Sequence, residues 1–185
     1  MTRRMDPTCA GMTTRGDEFA GAEFSASERH RYRLWRAFGR LAAPAPRFVA
    51  FVMLNPSTAD ENVLDPTLRR CEGFAKTWGF DGFMVANVFA LRSTDPKGLL
   101  EPCADPVGHG NAAAIKRVCG ESELVVCGWG AFADCDAWRF TLDGTLQRIR
   151  AVREPHHLGL TKTGQPRHPL YLRADVKPQP FTRAA

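Results

Sequence analysis

The sequence lacks the long apolar segments that a membrane protein needs. Its longest apolar runs, residues 48–54 and 124–129, are far too short to cross a bilayer and suit buried strands. The first 17 residues carry three arginines but no apolar stretch, so a secretory signal is not predicted there. We therefore expect a cytoplasmic protein with no membrane partner.

Paired metal ligands are missing as well. The six cysteines lie far apart and none belongs to a C-x-x-C pair, which argues against a zinc ribbon and against a small disulfide scaffold. Reduced, buried thiols are the favoured interpretation, and an iron–sulfur cluster held by four cysteines is the alternative. His156 and His157 are adjacent rather than spaced along a helix. We predict no metal site and no cofactor.

Several common catalytic motifs are also absent. The chain has no Walker loop, no G-x-G-x-x-G after its first predicted strand, no G-x-S-x-G and no H-E-x-x-H. The sequence therefore does not indicate nucleoside triphosphate hydrolysis, dinucleotide binding, serine hydrolysis or zincin chemistry. Ser57 could act as a nucleophile, but the sequence fixes no base partner for it.

What remains is the composition of one globular domain. The 185 residues suffice for one sizeable core, and the hydrophobic fraction of 44% and charged fraction of 24% are near globular averages. We place the domain at residues 21–175, with a loose extension at 1–20 and a tail at 176–185. No pattern indicates the oligomeric state.

The net charge of +5 favours anionic partners. Residues 29–36 alternate arginines with aromatic and aliphatic side chains. That pattern fits either a nucleic-acid contact or a half-buried edge strand, and we favour the edge strand. A second basic stretch, residues 162–173, follows the last predicted strand.

From residue 47 onward, apolar runs alternate with amphipathic helices, as in βαβ units. Strands are predicted at 48–54, 82–90, 124–128 and within 151–160, and helices at 65–79 and 111–118. Asp65 is the expected N-cap of the first helix. The predicted fold class is α/β, a three-layer α/β/α domain with a short, mainly parallel central sheet and an N-terminal edge strand or hairpin.

Polar side chains stand near the ends of three predicted strands: Asn55 before Pro56, Asn87, and His168 before Pro169. Ligands bind outside the carboxyl ends of parallel strands, so we expect all three to line one pocket. An amide can hold a water or read a base edge, and a neutral imidazole can donate to an oxygen that gains negative charge. Each residue alone has an ordinary structural explanation, and only their convergence favours a site.

Four stretches resemble an uncharacterised bacterial and phage family, a domain of unknown function. They read MLNPSTA at 53–59, DPTLRR at 65–70, NVFALR at 87–92 and RHPLYL at 167–172, and the resemblance spans residues 24–172. More distantly, the order of motifs resembles the uracil-DNA glycosylase superfamily. Residues 54–56 resemble its water-orienting motif, residues 87–92 its base-reading strand, residues 126–130 the strand before its last motif, and His168-Pro169 the start of that motif.

The distant resemblance implies a uracil-DNA glycosylase-like fold in a protein that binds nucleic acid, DNA most of all, and hydrolyses the N-glycosidic bond of a flipped damaged or modified base. It implies catalytic roles for Asn55, His168 and Asp65, with Asp60 as an alternative carboxylate. The implied base-binding residues are Leu54, Asn87 and Phe89, and the implied phosphate-binding residues are Arg69, Arg70, Arg92, Lys162 and Arg167.

One departure from that superfamily follows Pro169. The chain continues as Leu170-Tyr171-Leu172 instead of a small turn containing serine, so a backbone contact to phosphate is not implied. Leu170 or Leu172 would then be the apolar wedge that fills the place of a flipped base. The alternative function is a non-catalytic nucleotide or nucleic-acid sensor on the same fold.

Overall fold

A computed structural model describes residues 12–38, 46–57, 64–101 and 105–182. Within those ranges the chain forms eight strands and three α-helices. The strands are β1 (Met12–Gly16), β2 (Ala20–Ser25), β3 (Arg31–Ala37), β4 (Phe48–Met53), β5 (Gly82–Asn87), β6 (Leu124–Cys127), β7 (Pro155–His157) and β8 (Gln179–Pro180). The helices are α1 (Pro66–Thr77), α2 (Asn111–Glu121) and α3 (Arg139–Arg150).

All eight strands form one mixed sheet in the order β1-β2-β3-β5-β4-β6-β7-β8. The pairings β5-β4, β4-β6 and β6-β7 are parallel, whereas the other four pairings are antiparallel. The prediction of a short, mainly parallel sheet of the uracil-DNA glycosylase type is therefore wrong. It failed because the chain before residue 47, where only an edge strand or hairpin was predicted, adds three strands to the sheet through antiparallel pairings.

The Arg-rich strand β3 is interior, not the predicted edge strand. It pairs with β2 on one side and β5 on the other. Arg33, 8% exposed, donates to Glu23 Oε1 at 2.8 Å and to Glu121 Oε2 at 3.1 Å, and its guanidinium lies 4.6 Å from the ring centre of Trp35. A buried, hydrogen-bonded ion-pair network explains the charge in this strand better than protection of an edge does.

Helices cover both faces of the sheet. On one face, α1 packs Leu68, Cys71 and Phe74 against Phe51 and Val85. On the other face, α2 and α3 contribute to a second apolar cluster, with the side chains Ile115, Val118, Leu142, Leu146 and Ile149. We call these the α1 face and the α2/α3 face.

The start of α1 is as predicted. Asp65 is its N-cap and accepts a hydrogen bond from the Leu68 N–H at 2.8 Å, and Pro66 is the first helical residue. The helix α3 was not predicted, although Leu142, Leu146 and Ile149 have helical spacing. Gly144 and the neighbouring threonines weaken its intrinsic helix propensity, so packing against the sheet has to stabilise it.

The two ends of the described chain belong to the sheet. β1 lies within the segment 1–20 and β8 within the segment 176–185, both of which the sequence analysis placed outside the domain. No helix in the described ranges is both long enough and apolar enough to cross a membrane.

Candidate functional site

The carboxyl ends of three parallel strands meet at one edge of the sheet. Asn87, the last residue of β5, is opposite Met53, the last residue of β4. Cys127, the last residue of β6, is opposite Val52. The N-cap of α1, Asp65, accepts a hydrogen bond from Ser57 in the segment that follows β4, so that helix starts at the same edge.

Asn87 is the most unusual side chain at this edge. It is 1% exposed, and neither its Nδ2 nor its Oδ1 has a hydrogen-bond partner among the described residues. Because strand side chains alternate, Asn87 points to the same face as Phe83 and Val85, which is the α1 face. An unsatisfied buried amide costs about 1–3 kcal/mol of folding stability. A ligand that pairs with the amide would offset that cost.

Two glycines place His168 beside the end of β6. A Cβ atom on Gly128 would lie 2.8 Å from Pro169 Cδ, and one on Gly130 would lie 3.3 Å from His168 Cβ. The Gly130 N–H donates to the Pro166 carbonyl at 2.8 Å, and Trp129 Nε1 donates to Gln165 Oε1 at 2.8 Å. The loop that carries His168 is therefore fastened to the two residues that follow Gly128.

His168 is neutral at pH 7. Burial lowers the pKa of its imidazole, and the nearby Asp65 carboxylate opposes that shift. Its Nδ1 accepts a hydrogen bond from the Leu170 N–H at 3.4 Å, so the proton of the neutral ring is on Nε2. The side chain therefore presents one N–H donor without carrying a charge.

Asp65 connects the start of α1 to the loop after β4. Oδ1 caps the helix at the Leu68 N–H, and Oδ2 accepts a hydrogen bond from the Ser57 hydroxyl. Its negative charge acts on His168. Sequence reasoning proposed Asp65 but missed Ser57 as its partner, because eight residues separate the two and no local motif links them.

Asn55 fastens the loop after β4 to the segment after β5. Its Nδ2 donates to the Ser93 carbonyl at 2.8 Å and to the Pro56 carbonyl at 3.2 Å. The Ser93 N–H in turn donates to the Pro56 carbonyl at 2.9 Å. The Asn55 NH₂ group thus makes hydrogen bonds within the fold, and the Oδ1 atom is the part of the amide that can accept a hydrogen bond from a ligand or water.

Asn87 and the loop that carries His168 lie on opposite sides of β4. Asn87 on β5 and Gly128 after β6 flank β4, so their backbones are two strand spacings apart, about 10 Å. Met53, on the same face and 5% exposed, lies between them. Met53 therefore separates the Asn87 amide from the His168 loop on this face.

Two predicted base-binding residues are not part of this arrangement. Leu54 and Phe89 belong to the apolar cluster on the α2/α3 face, and the Phe89 ring centre is 5.0 Å from that of Trp138. The strand period would put Phe89 on the face of Asn87, but β5 ends at Asn87 and the chain turns away. Their side chains are core residues.

The five predicted phosphate-binding residues divide into two groups. Arg70 donates to the Leu172 carbonyl and Arg92 donates to the Glu28 carbonyl at 3.3 Å, so both stabilise the fold. Arg69, Lys162 and Arg167 are exposed, although Arg69 Nε also donates to the Leu64 carbonyl at 3.1 Å. Only this second group is well placed to meet a phosphate.

Two buried cysteines among the described residues, Cys71 and Cys119, are not reactive thiols. Burial raises the pKa of the Cys71 thiol well above its usual range and that of Cys119 to about 12, so both are protonated at neutral pH. No group of three or more His, Cys, Asp or Glu side chains that could hold a metal ion occurs in the ranges given above. Cys9 and Cys103 are outside those ranges.

A family model matches residues 31–170. The chain belongs to the family described as a protein of unknown function, DUF1643. Asn55, Asp65, Asn87 and His168 all lie inside the matched span, so the candidate site belongs to the family's shared part of the chain. No curated protein and no solved structure matches the sequence.

Replacing Gly128 by Ala is expected to disturb the site while the fold persists. The new methyl group would push Pro169 and shift His168, and a displacement on the order of 1 Å can lower a catalysed rate about 100-fold. The comparison is Gly73→Ala in α1, where a Cβ meets nothing within 4 Å. If Gly128→Ala and Gly73→Ala retain the same activity, the contact between Gly128 and Pro169 does not position the site.

Proposed function

We propose that this site holds a nucleobase and that the protein hydrolyses the N-glycosidic bond joining that base to its sugar in nucleic acid, DNA most of all. The observation that carries the proposal is the Asn87 amide, 1% exposed and unpaired among the described residues. An amide offers a donor and an acceptor in one plane, which matches the paired donor and acceptor groups along a base edge.

His168 supplies the second half of the proposed chemistry. Bond cleavage leaves an electron pair on the base, and negative charge spreads to its exocyclic oxygen. The neutral Nε2–H of His168 donates to that oxygen most strongly as the charge develops, which lowers the barrier to the reaction. A charged imidazolium is not required for this role.

Water completes the reaction. In the proposed step the C1′–N bond breaks with its electrons on the base, and a water oxygen bonds to C1′. Asn55 Oδ1 orients the water, whose proton passes to the Asp65 carboxylate and then to solvent. The base anion takes a proton from solvent after it leaves. The roles of Asn55 and Asp65 rest on the superfamily resemblance and on their position at the same sheet edge.

A second candidate function, a non-catalytic nucleotide or nucleic-acid sensor, is favoured by one observation. The Asn55 Nδ2 donates to two backbone carbonyls, and both Asp65 carboxylate oxygens accept hydrogen bonds within the fold. Residues committed to the fold in this way can serve recognition without chemistry. In a sensor, Asn87 and His168 would hold the base and nothing would be cleaved.

Incubation with a panel of oligonucleotides separates the two functions. Each oligonucleotide carries one damaged or modified base, and the products are scored for abasic sites and for free base by chromatography. The proposed enzyme releases a base from at least one substrate, and the Asn87→Asp variant changes which base is accepted because one donor becomes an anionic acceptor. A protein that binds the panel but releases nothing is the sensor.

A further inference from the structure

Tyr171 is an exposed aromatic side chain beside the candidate site. It ends the short 3-10 turn Pro169–Tyr171, directly after His168, and its ring centre is 5.9 Å from the imidazole centre. The residue is 77% exposed. A single exposed ring is common on protein surfaces, and it is the position of this one beside His168 that makes it a candidate contact.

The turn holds the ring outward because its neighbours are fixed. Leu172 is 9% exposed and packs in the cluster of the α1 face, and its carbonyl accepts a hydrogen bond from Arg70. Its N–H donates to the Pro169 carbonyl at 3.2 Å. Of the two leucines that the sequence analysis offered as an apolar wedge, Leu172 is a core residue and Leu170 is half-buried, so the exposed member of the turn is Tyr171.

The segment that carries Tyr171 is rich in positive charge along the sequence, and one carboxylate from elsewhere, Asp134, contacts it by accepting a hydrogen bond from Thr163. Between residues 160 and 177 the chain carries one carboxylate, Asp175, and four cationic side chains, all exposed: Lys162, Arg167, Arg173 and Lys177. Arg173 is paired with Asp175, with Nη2 and Oδ2 3.1 Å apart. An aromatic ring among exposed cations is the combination that binds unpaired nucleic-acid strands.

We propose that Tyr171 stacks on an unpaired base next to the nucleotide that Asn87 binds, so that the preferred ligand is single-stranded nucleic acid. In a duplex the neighbouring base is already stacked and paired, whereas a single strand can turn a base face onto the ring. This inference rests on the proposed function for the binding of nucleic acid, but not for base release. The stacking itself can be measured without any turnover.

The test is equilibrium binding by fluorescence anisotropy with a labelled single-stranded DNA oligonucleotide and the matched duplex. The wild-type protein is expected to bind the single strand more tightly. Tyr171→Ala is expected to weaken single-strand binding about tenfold or more, whereas Tyr171→Phe, which keeps the ring, restores it. The matched control is Phe140→Ala, which removes a 91% exposed ring from α3 on the opposite face and should leave binding unchanged.

Two outcomes overturn the inference: equal or tighter binding of the duplex by the wild-type protein, or a Tyr171→Ala variant that binds the single strand as the wild type does. Thermal unfolding of each variant guards against misfolding, which is not expected at a position so exposed. Base release is scored separately. A protein that stacks the strand but releases no base refutes the proposed hydrolysis and leaves the stacking role intact.

Discussion

Replacing His168 by Ala is expected to lower the rate of base release about 100-fold or more, with little change in affinity for the oligonucleotide. The Nε2–H contact strengthens only as charge develops on the departing base, so its loss raises the barrier rather than weakening ground-state binding. Single-turnover kinetics and anisotropy measure the two effects separately.

The companion variant His168→Gln retains an N–H donor and is expected to recover part of the lost rate. Burial lowers the pKa of His168 below its ordinary value of about 6.5, so the imidazole is already neutral at pH 7. We therefore expect that titration of His168 does not change the wild-type rate as the pH rises above about 6.5. An unimpaired rate in His168→Ala would remove His168 from the mechanism.

Replacing Asn87 by Leu is expected to stabilise the protein by about 1 kcal/mol or more and to abolish base binding. Leucine has nearly the same shape but buries no unpaired donor or acceptor, so the desolvation cost of the amide disappears. Urea unfolding measures the gain, and anisotropy with the best oligonucleotide measures the lost affinity.

Asn111 is the matched control for that substitution. It is also 1% exposed and its Oδ1 has no partner among the described residues, but its Nδ2 donates to the carbonyls of Asn87 at 3.0 Å and Val88 at 2.9 Å. Asn111→Leu removes both bonds and is expected to destabilise the protein. If Asn87→Leu destabilises it to a similar degree, the Asn87 amide is a structural group and not one kept for a ligand.

Local features of the sequence were sufficient for the central strands and for the start of α1. β4 and β5 are uninterrupted apolar runs, and the start of α1 follows from a capping aspartate before a proline. Since β4, β5 and β6 run parallel, residues at their carboxyl ends had to share one edge. The shared edge of these three strands therefore follows from the sequence pattern.

Other features depend on contacts between distant parts of the chain. The interior position of β3 requires Arg33 to meet Glu23 and Glu121, which are 10 and 88 residues away along the chain. The end of β5 at Asn87 likewise determines that Asn87 and Phe89 face opposite sides of the sheet. Asn111 of α2 stabilises that end by its hydrogen bonds to the carbonyls of Asn87 and Val88. No local pattern contains these pairings.

The central claim is that the Asn87 amide receives a nucleobase. Its side-chain NH₂ signals in the ¹⁵N spectrum, assigned by their loss in Asn87→Leu, report that contact directly as free nucleobases are added one at a time. The account predicts a shift of these signals and slower hydrogen exchange with at least one base, and no such change in the side-chain NH₂ signals of Gln147, an exposed residue of α3, in the same samples. Asn87 signals that stay unchanged at saturating concentrations of every base would contradict it.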